Sequence, residues 1–143
     1  MSVRGRDESF ELRPIGWVES PLVDPAMAPK QGDEGTPDAW LALTPELLAG
    51  LDGIAVGDHV LVFTWLDRAD RRTLRVHPRG DLARPPEGVF NTRSPDRPNP
   101  IGLHRVEVLE IEGARLRVSG LEAIDGTPVL DVKPVLSERA AER

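Results

Sequence analysis

The chain has 143 residues and a formal net charge of −6, with no cysteine, no tyrosine and 4% aromatic residues. That length supports one domain with a real core but not a core plus a separate cofactor domain. Absent cysteine excludes disulfides, thiolate metal sites and a cysteine nucleophile, and so few aromatics argue against a platform that stacks several bases.

Taken in chain order, the signals are mostly those of short strands. Residues 1–9 are polar and read as a disordered tail. Leu12, Ile15 and Val18 lie in a first strand that stops at Ser20-Pro21. A long loop with four prolines follows to about Asp38, of a length that in a compact domain is usually functional or mobile. Trp40–Leu43 reads as a strand, and Thr44-Pro45 as the start of a brief helix ending near Gly50. His59–Leu66 is a strongly apolar strand, and Thr73–His77 alternates. Val106–Ile111 and Arg115–Ser119 form a hairpin about Glu112-Gly113, and Val129–Val135 closes the set. Little helix and no βαβ spacing predict an all-β fold, a small, mainly antiparallel β-barrel with one short helix and long functional loops, spanning residues 10–136. Residues 137–143 read as a C-terminal tail.

Charge is unevenly spread. Between Glu19 and Asp58 eight acidic residues face Lys30 alone, whereas from Asp67 to Arg97 eight arginines face five acids. The second stretch makes a locally basic face that suits a polyanion, or else a solvated loop of interspersed pairs. Of the 18 cationic residues only Lys30 and Lys133 are lysines, which suggests positions where a compact point charge is wanted rather than a planar fork. His59, His77 and His104 lie far apart without ligand spacing, so no metal is expected. No apolar stretch approaches membrane-spanning length and the N-terminus lacks a signal-peptide core; a cytoplasmic protein without a membrane partner is expected.

Two segments carry the functional signal. Residues 88–105, Gly-Val-Phe-Asn-Thr-Arg-Ser-Pro-Asp-Arg-Pro-Asn-Pro-Ile-Gly-Leu-His-Arg, contain Pro95, Pro98 and Pro100. Proline fixes its own φ and drives the preceding residue to extended geometry. Ser94, Arg97 and Asn99 are restricted in this way, and the segment reads as a stiff, irregular ribbon that cannot join a central strand. It presents Arg93, Arg97 and Asn99 with little backbone entropy left to lose, although Arg97 and Asn99 could equally hold the ribbon's own backbone. The second segment, Leu121–Pro134, places the turn Asp125-Gly126 before Thr127-Pro128 and ends in Asp131, Lys133 and Pro134. Neither a Gly-x-Gly-x-x-Gly after a strand, nor a Walker loop, nor a Gly-x-Ser-x-Gly elbow occurs, so Rossmann, P-loop and α/β-hydrolase sites are excluded.

The blocks Gly88–Gly102 and Asp125–Pro134 resemble the signatures of the TsaA-like family, also called the YaeB or TrmO family. The opening Ile15-Gly16-Trp17-Val18-Glu19-Ser20-Pro21 looks like that family's first strand, and Pro29-Lys30-Gln31 like its Pro-Arg-Gln loop. The similarity runs from about Ile15 to Leu136. It implies a small β-barrel that binds S-adenosyl-L-methionine, usually as a homodimer with the cofactor near the interface. It also implies methylation of N6 of threonylcarbamoyl-adenosine beside a tRNA anticodon. By resemblance the cofactor site comprises Lys30, Gln31, Gly32, Asp33, Glu34, Leu66, Asp67, Arg93 and Leu103. The run from Leu121 to Thr127 completes it, with Glu122, Asp125 and Gly126 included. Asp125, Thr127, Asp131 and Lys133 match the positions expected for catalysis.

Those residue types fit methyl transfer, in which a protein mainly positions reactants and shapes the field. Arg93 is suited to a carboxylate, Asp125 or Asp131 to accepting the proton of the modified base, and Lys133 to the developing negative charge. Asp131 and Lys133 also suit a plain i, i+2 ion pair. Larger bacterial members carry His-Gln where this chain has Leu66-Asp67, and a C-terminal extension that helps hold tRNA. Three readings stay open: the tRNA enzyme, a methyltransferase of the same barrel on another small or RNA substrate, and a non-enzymatic cofactor-binding regulatory module.

Overall fold

Alternating apolar residues decide which side of each strand turns inward. In the computed structural model, which describes residues 5, 7–23 and 35–136, six antiparallel strands close into a barrel. They are β1 (Gly16–Glu19), β2 (Ala39–Leu43), β3 (His59–Trp65), β6 (Ile101–Glu112), β7 (Arg115–Ser119) and β8 (Pro128–Pro134). Around the barrel the order is β1-β2-β7-β6-β3-β8, with β8 returning to β1 through Gly16↔Val129. β4 (Arg75–Val76) and β5 (Glu87–Gly88) form a separate two-stranded ribbon. Closure leaves no barrel edge unpaired.

The period of two fills the interior with Val18, Leu41, Val60, Val62, Val106, Val108, Leu116, Val118 and Val129, all at most 2% exposed. Each such side chain stabilises the fold by roughly 1.5–3 kcal/mol relative to solvent exposure. A β-bulge interrupts the β3–β8 ladder: Phe63 pairs with Asp131 and Thr64 with Val129, so Leu130 is the extra residue. Beyond it the phase of β8 flips, and Asp131 and Lys133 face outward.

Two expectations are corrected. The first strand is shorter than predicted and begins at Gly16; Leu12 is 57% exposed, and Pro14 has no N–H to offer a ladder. More importantly, the proline-rich ribbon does join the barrel. Its last five residues, Ile101–Arg105, begin β6, which runs between β7 and β3. The irregular backbone stops at Pro100, and Gly102, His104 and Val106 then alternate inward with full ladder pairing. The predicted helix is a 3-10 helix, Pro45–Leu51, and Thr73–His77 reduces to β4. Residues 137–143 and most of 1–6 lie outside the described residues.

Antiparallel closure sorts the connections by end. Loops 20–38, 66–100 and 120–127 emerge at one end, while the 3-10 helix and the β6–β7 turn lie at the other, where Leu51 and Ile54 abut the core.

Candidate functional site at one barrel end

Of the predicted site residues that are described, all but Leu103, Asp131 and Lys133 lie in the loops at the first end. Lys30, Gln31, Gly32, Asp33 and Glu34 lie outside the described residues.

The loop 120–127 is built as a latch on β1. Asp125 Oδ1 accepts the Ser20 N–H at 3.0 Å, and the Asp125 N–H donates to the Leu22 carbonyl at 2.6 Å. Gly126, at φ +82°, donates its N–H to the Val18 carbonyl at 2.8 Å; a side chain is disfavoured at that φ. The Thr127 hydroxyl donates to the Ile124 carbonyl at 2.7 Å and is buried, while Leu121 is 0% exposed and belongs to the core. Leu121 and Thr127 therefore fix the loop, on which Asp125 is exposed and Glu122 partly buried. Asp125→Ala should destabilise by about 1–2 kcal/mol through the lost acceptor. Asp125→Asn should keep the Ser20 bond and most of the stability. A thermal melt of both variants checks the contrast, and equal losses would contradict the latch.

Within the ribbon, Arg97 turns back on its own backbone. Its guanidinium donates to the carbonyls of Ser94 at 2.8 Å, Thr92 at 3.1 and 3.2 Å, and Val89 at 2.5 Å. Arg71 Nε donates to the Pro98 carbonyl at 2.7 Å, and its Nη2 to Asn99 Oδ1 at 3.1 Å, with the guanidinium 5.3 Å above the Trp65 ring. The Asp70 N–H bonds Asp96 Oδ1 at 2.9 Å. Leu66 closes the neck of this loop through its N–H to the Pro100 carbonyl at 2.8 Å, and Asp67 beyond it is exposed. Arg93 differs. Among the described residues its hydrogen bond is to the Leu103 carbonyl at 3.5 Å, leaving an exposed fork beside the ribbon.

Leu103 belongs to an outward row that crosses three strands, Leu103↔Phe63↔Asp131, with Arg105↔Leu61↔Lys133 as the next row. Neighbouring strands are about 4.8 Å apart. Asp131 is thus on the same outer face as Leu103, separated from the loop 120–127 and beside Ile15, Leu43 and Leu47. Lys133 Nζ lies 3.5 Å from Asp131 Oδ2, both side chains more than half exposed, which is the i, i+2 pair the sequence allowed. The predicted residues therefore form two groups: the mouth of the barrel, and an outer face beside it.

A third cluster was not foreseen. Thr64, 0% exposed, and His104, 5% exposed, project into the barrel just beneath the mouth. Thr64 Oγ1 lies 2.7 Å from His104 Nε2, and His104 Nδ1 lies 2.6 Å from Glu122 Oε1. Gly102 is tight against both; a Cβ there would fall 2.4 Å from Thr64 Oγ1 and 2.8 Å from His104 Nε2. The signal in the sequence was the shared parity of Gly102, His104, Val106 and Val108.

A hollow of about 570 Å³ lies at the opposite end, lined by Asp58, His59, Arg105 and Val132 among others. It contains none of the predicted residues. No group of three or more potential metal ligands occurs among the described residues. No described helix is long and apolar enough to cross a membrane.

The family model for the tRNA-methyltransferase O N-terminal domain matches residues 17–140. The chain belongs to this family. Among its relatives, a protein of Archaeoglobus fulgidus called "S-adenosyl-L-methionine-binding protein" is 47% identical over 122 residues, covering 85% of this chain and 86% of its own length. A protein of Methanothermobacter thermautotrophicus called "Probable S-adenosyl-L-methionine-binding protein" is 46% identical, covering 90% and 91%. The crystal structure of TrmO from Pseudomonas aeruginosa superposes with a TM-score of 0.66 at 29% identity, over 90% of this chain. The chain spans only 57% of that enzyme's length. The barrel predicted from the sequence is thus the fold of the tRNA-methyltransferase O family.

Proposed function

We propose that the chain is an S-adenosyl-L-methionine-dependent methyltransferase that methylates N6 of threonylcarbamoyl-adenosine next to the tRNA anticodon. The observation carrying this reading is the family match together with the convergence of the signature loops at one barrel end.

The residues present fit that cofactor. Arg93 offers a bidentate fork with one long contact, matched to the carboxylate of an amino acid. Glu122 Oε2 and Asp125 Oδ2 make no hydrogen bond among the described residues and can accept from hydroxyl or ammonium groups. Leu66, Phe63 and Leu103 supply apolar surface for a base. Once bound, S-adenosyl-L-methionine supplies an electrophilic methyl group on a sulfonium centre. Asp125 accepts the proton of the acceptor nitrogen, directly or through water, because its free oxygen stands at the mouth while its other oxygen is pinned to β1. Asp131 is the second candidate base, on the outer face. With Asp131 as the base, Lys133, 3.5 Å from it, stabilises the negative charge that develops on the acceptor. The exposed Arg68, Arg72, Arg75 and Arg84, in the loop at the same end, suit a phosphate backbone.

The outer face of β3 and β6, with Leu61, Phe63, Trp65, Ile101 and Leu103, suits burial against a second copy beside Arg93. Sedimentation should give twice the 15.7 kDa chain mass, and a monomer at working concentration would remove the homodimer from the proposal. We place the enzyme in the cytoplasm, where its tRNA substrate is.

Incubation with labelled cofactor and tRNA, with and without the threonylcarbamoyl group, tests the function. Label only on the modified tRNA is expected, and label on both would refute the acceptor. Lys133→Met should lower turnover about tenfold or more with cofactor affinity unchanged; intact turnover would remove the electrostatic role. The second reading is a non-enzymatic cofactor-binding regulatory module. It is favoured by the relatives matched along most of their length, whose names stop at binding, and label on neither tRNA would support it.

A further inference from the structure

The barrel interior is apolar except beneath the mouth, where Thr64, His104 and Thr127 are its buried polar residues. Thr127 is accounted for by its bond to the Ile124 carbonyl. Thr64 and His104 have no such local role. Each side chain bonds the next, and the chain of bonds leads outward to Glu122, whose side chain is 19% exposed. An apolar pair at these two positions would fill the same space without burying a hydroxyl and an imidazole. The polar pair also demands glycine at 102, since a Cβ there would strike both groups.

With Glu122 ionised and the imidazole neutral, one arrangement of protons satisfies both bonds. An ionised Glu122 carboxylate only accepts, so His104 Nδ1 carries the proton and donates to Oε1. With a neutral imidazole, Nε2 then accepts the Thr64 hydroxyl, and the ring cannot rotate without breaking a buried bond. Glu122 is thereby held at the mouth with Oε2 pointing to no described partner.

We propose that Thr64 and His104 are positioning residues that brace Glu122, so that its free oxygen accepts hydrogen bonds from the ribose hydroxyls of the bound nucleoside cofactor. This rests on the cofactor reading above. A carboxylate fixed in place is matched to a vicinal diol, which offers two donors side by side. The amino acid ammonium of the cofactor is the other group with the same donor chemistry.

The brace is tested first without ligand. In ¹⁵N-histidine-labelled protein, a slowly exchanging Nδ1–H of His104 is expected, shifted or lost in Glu122→Ala; an Nε2–H tautomer of the neutral ring would overturn the brace. Binding of S-adenosyl-L-methionine and of 5′-methylthioadenosine, which keeps the ribose and lacks the amino acid group, is then measured by calorimetry. Glu122→Ala should weaken both ligands about tenfold, and the isosteric Thr64→Val about fivefold. In the Glu122→Ala background Thr64→Val should cost nothing further. The same loss in both backgrounds would overturn the brace and leave Thr64 a packing residue. Loss for S-adenosyl-L-methionine alone would overturn the ribose assignment in favour of the ammonium. If the wild type binds neither nucleoside, the cofactor reading falls and takes the ligand role of Glu122 with it, whatever the histidine signal shows.

Discussion

Gly16→Ala should lower stability by roughly 3 kcal/mol, the upper end of overpacking penalties. A Cβ at Gly16 would lie 2.4 Å from the Ala42 carbonyl oxygen, 2.7 Å from the Leu43 Cα and 2.9 Å from Leu43 Cδ2. The first two are backbone atoms and cannot rotate away. Gly16 is also paired on both sides, with Leu43 on β2 and Val129 on β8, so relief on one ladder strains the other. It stands where β8 meets β1, the seam that closes the barrel. Typical domains have only about 5–15 kcal/mol to lose, and a domain of this size falls by about 4 °C per kcal/mol. Gly50→Ala is the control, since nothing lies within 4 Å of a Cβ there. A Gly16→Ala melt within about 2 °C of the wild type would contradict the tight seam.

Arg97→Ala should have the largest effect on the ribbon, and through it on the proposed cofactor site. One guanidinium satisfies the carbonyls of Val89, Thr92 and Ser94 in a part-buried setting. Charge-assisted bonds of this kind contribute about 1.5–3 kcal/mol, and their removal leaves the carbonyls without partners. The barrel should survive, because the ribbon up to Pro100 lies outside its ladders. Residues 89–98 should become sensitive to protease, and affinity for S-adenosyl-L-methionine should fall about tenfold or more as Arg93 loses its platform. Arg97→Lys should not rescue, since a point charge cannot span three carbonyls as a planar fork does. Wild-type binding by the lysine variant would show that Arg97 does not hold the ribbon's shape.

How much of this was legible in the sequence depends on which strand is considered. Val60, Val62 and Leu116, Val118 alternate cleanly, and their strands lie where the period of two places them. Asp125-Gly126 was readable as a turn, though its role as the latch on β1 depends on contacts with Ser20 and Leu22 more than a hundred residues away. On β6 the prolines masked the period. Their restriction ends at Pro100, and extending it to Arg105 hid the inward parity of Gly102 and His104, and with it the bond to Thr64. Asp131 and Lys133 show the opposite difficulty. Simple alternation from Val129 would turn both inward, and only the bulge at Leu130 puts them outside. A single unpaired residue leaves no mark in composition.

The neck of the loop between β3 and β6 has a broader consequence. Trp65 pairs with Ile101, and Leu66 with the Pro100 carbonyl, so the two ends of a long excursion are fastened by the barrel itself. Lengthening such a loop costs only about 0.6 kcal/mol per doubling. Residues 77–86, between β4 and β5, can therefore be exchanged or enlarged without disturbing the barrel strands or the Asp70, Arg71 and Val89 contacts of the ribbon, and substrate preference can diverge while the scaffold that holds the cofactor stays as it is.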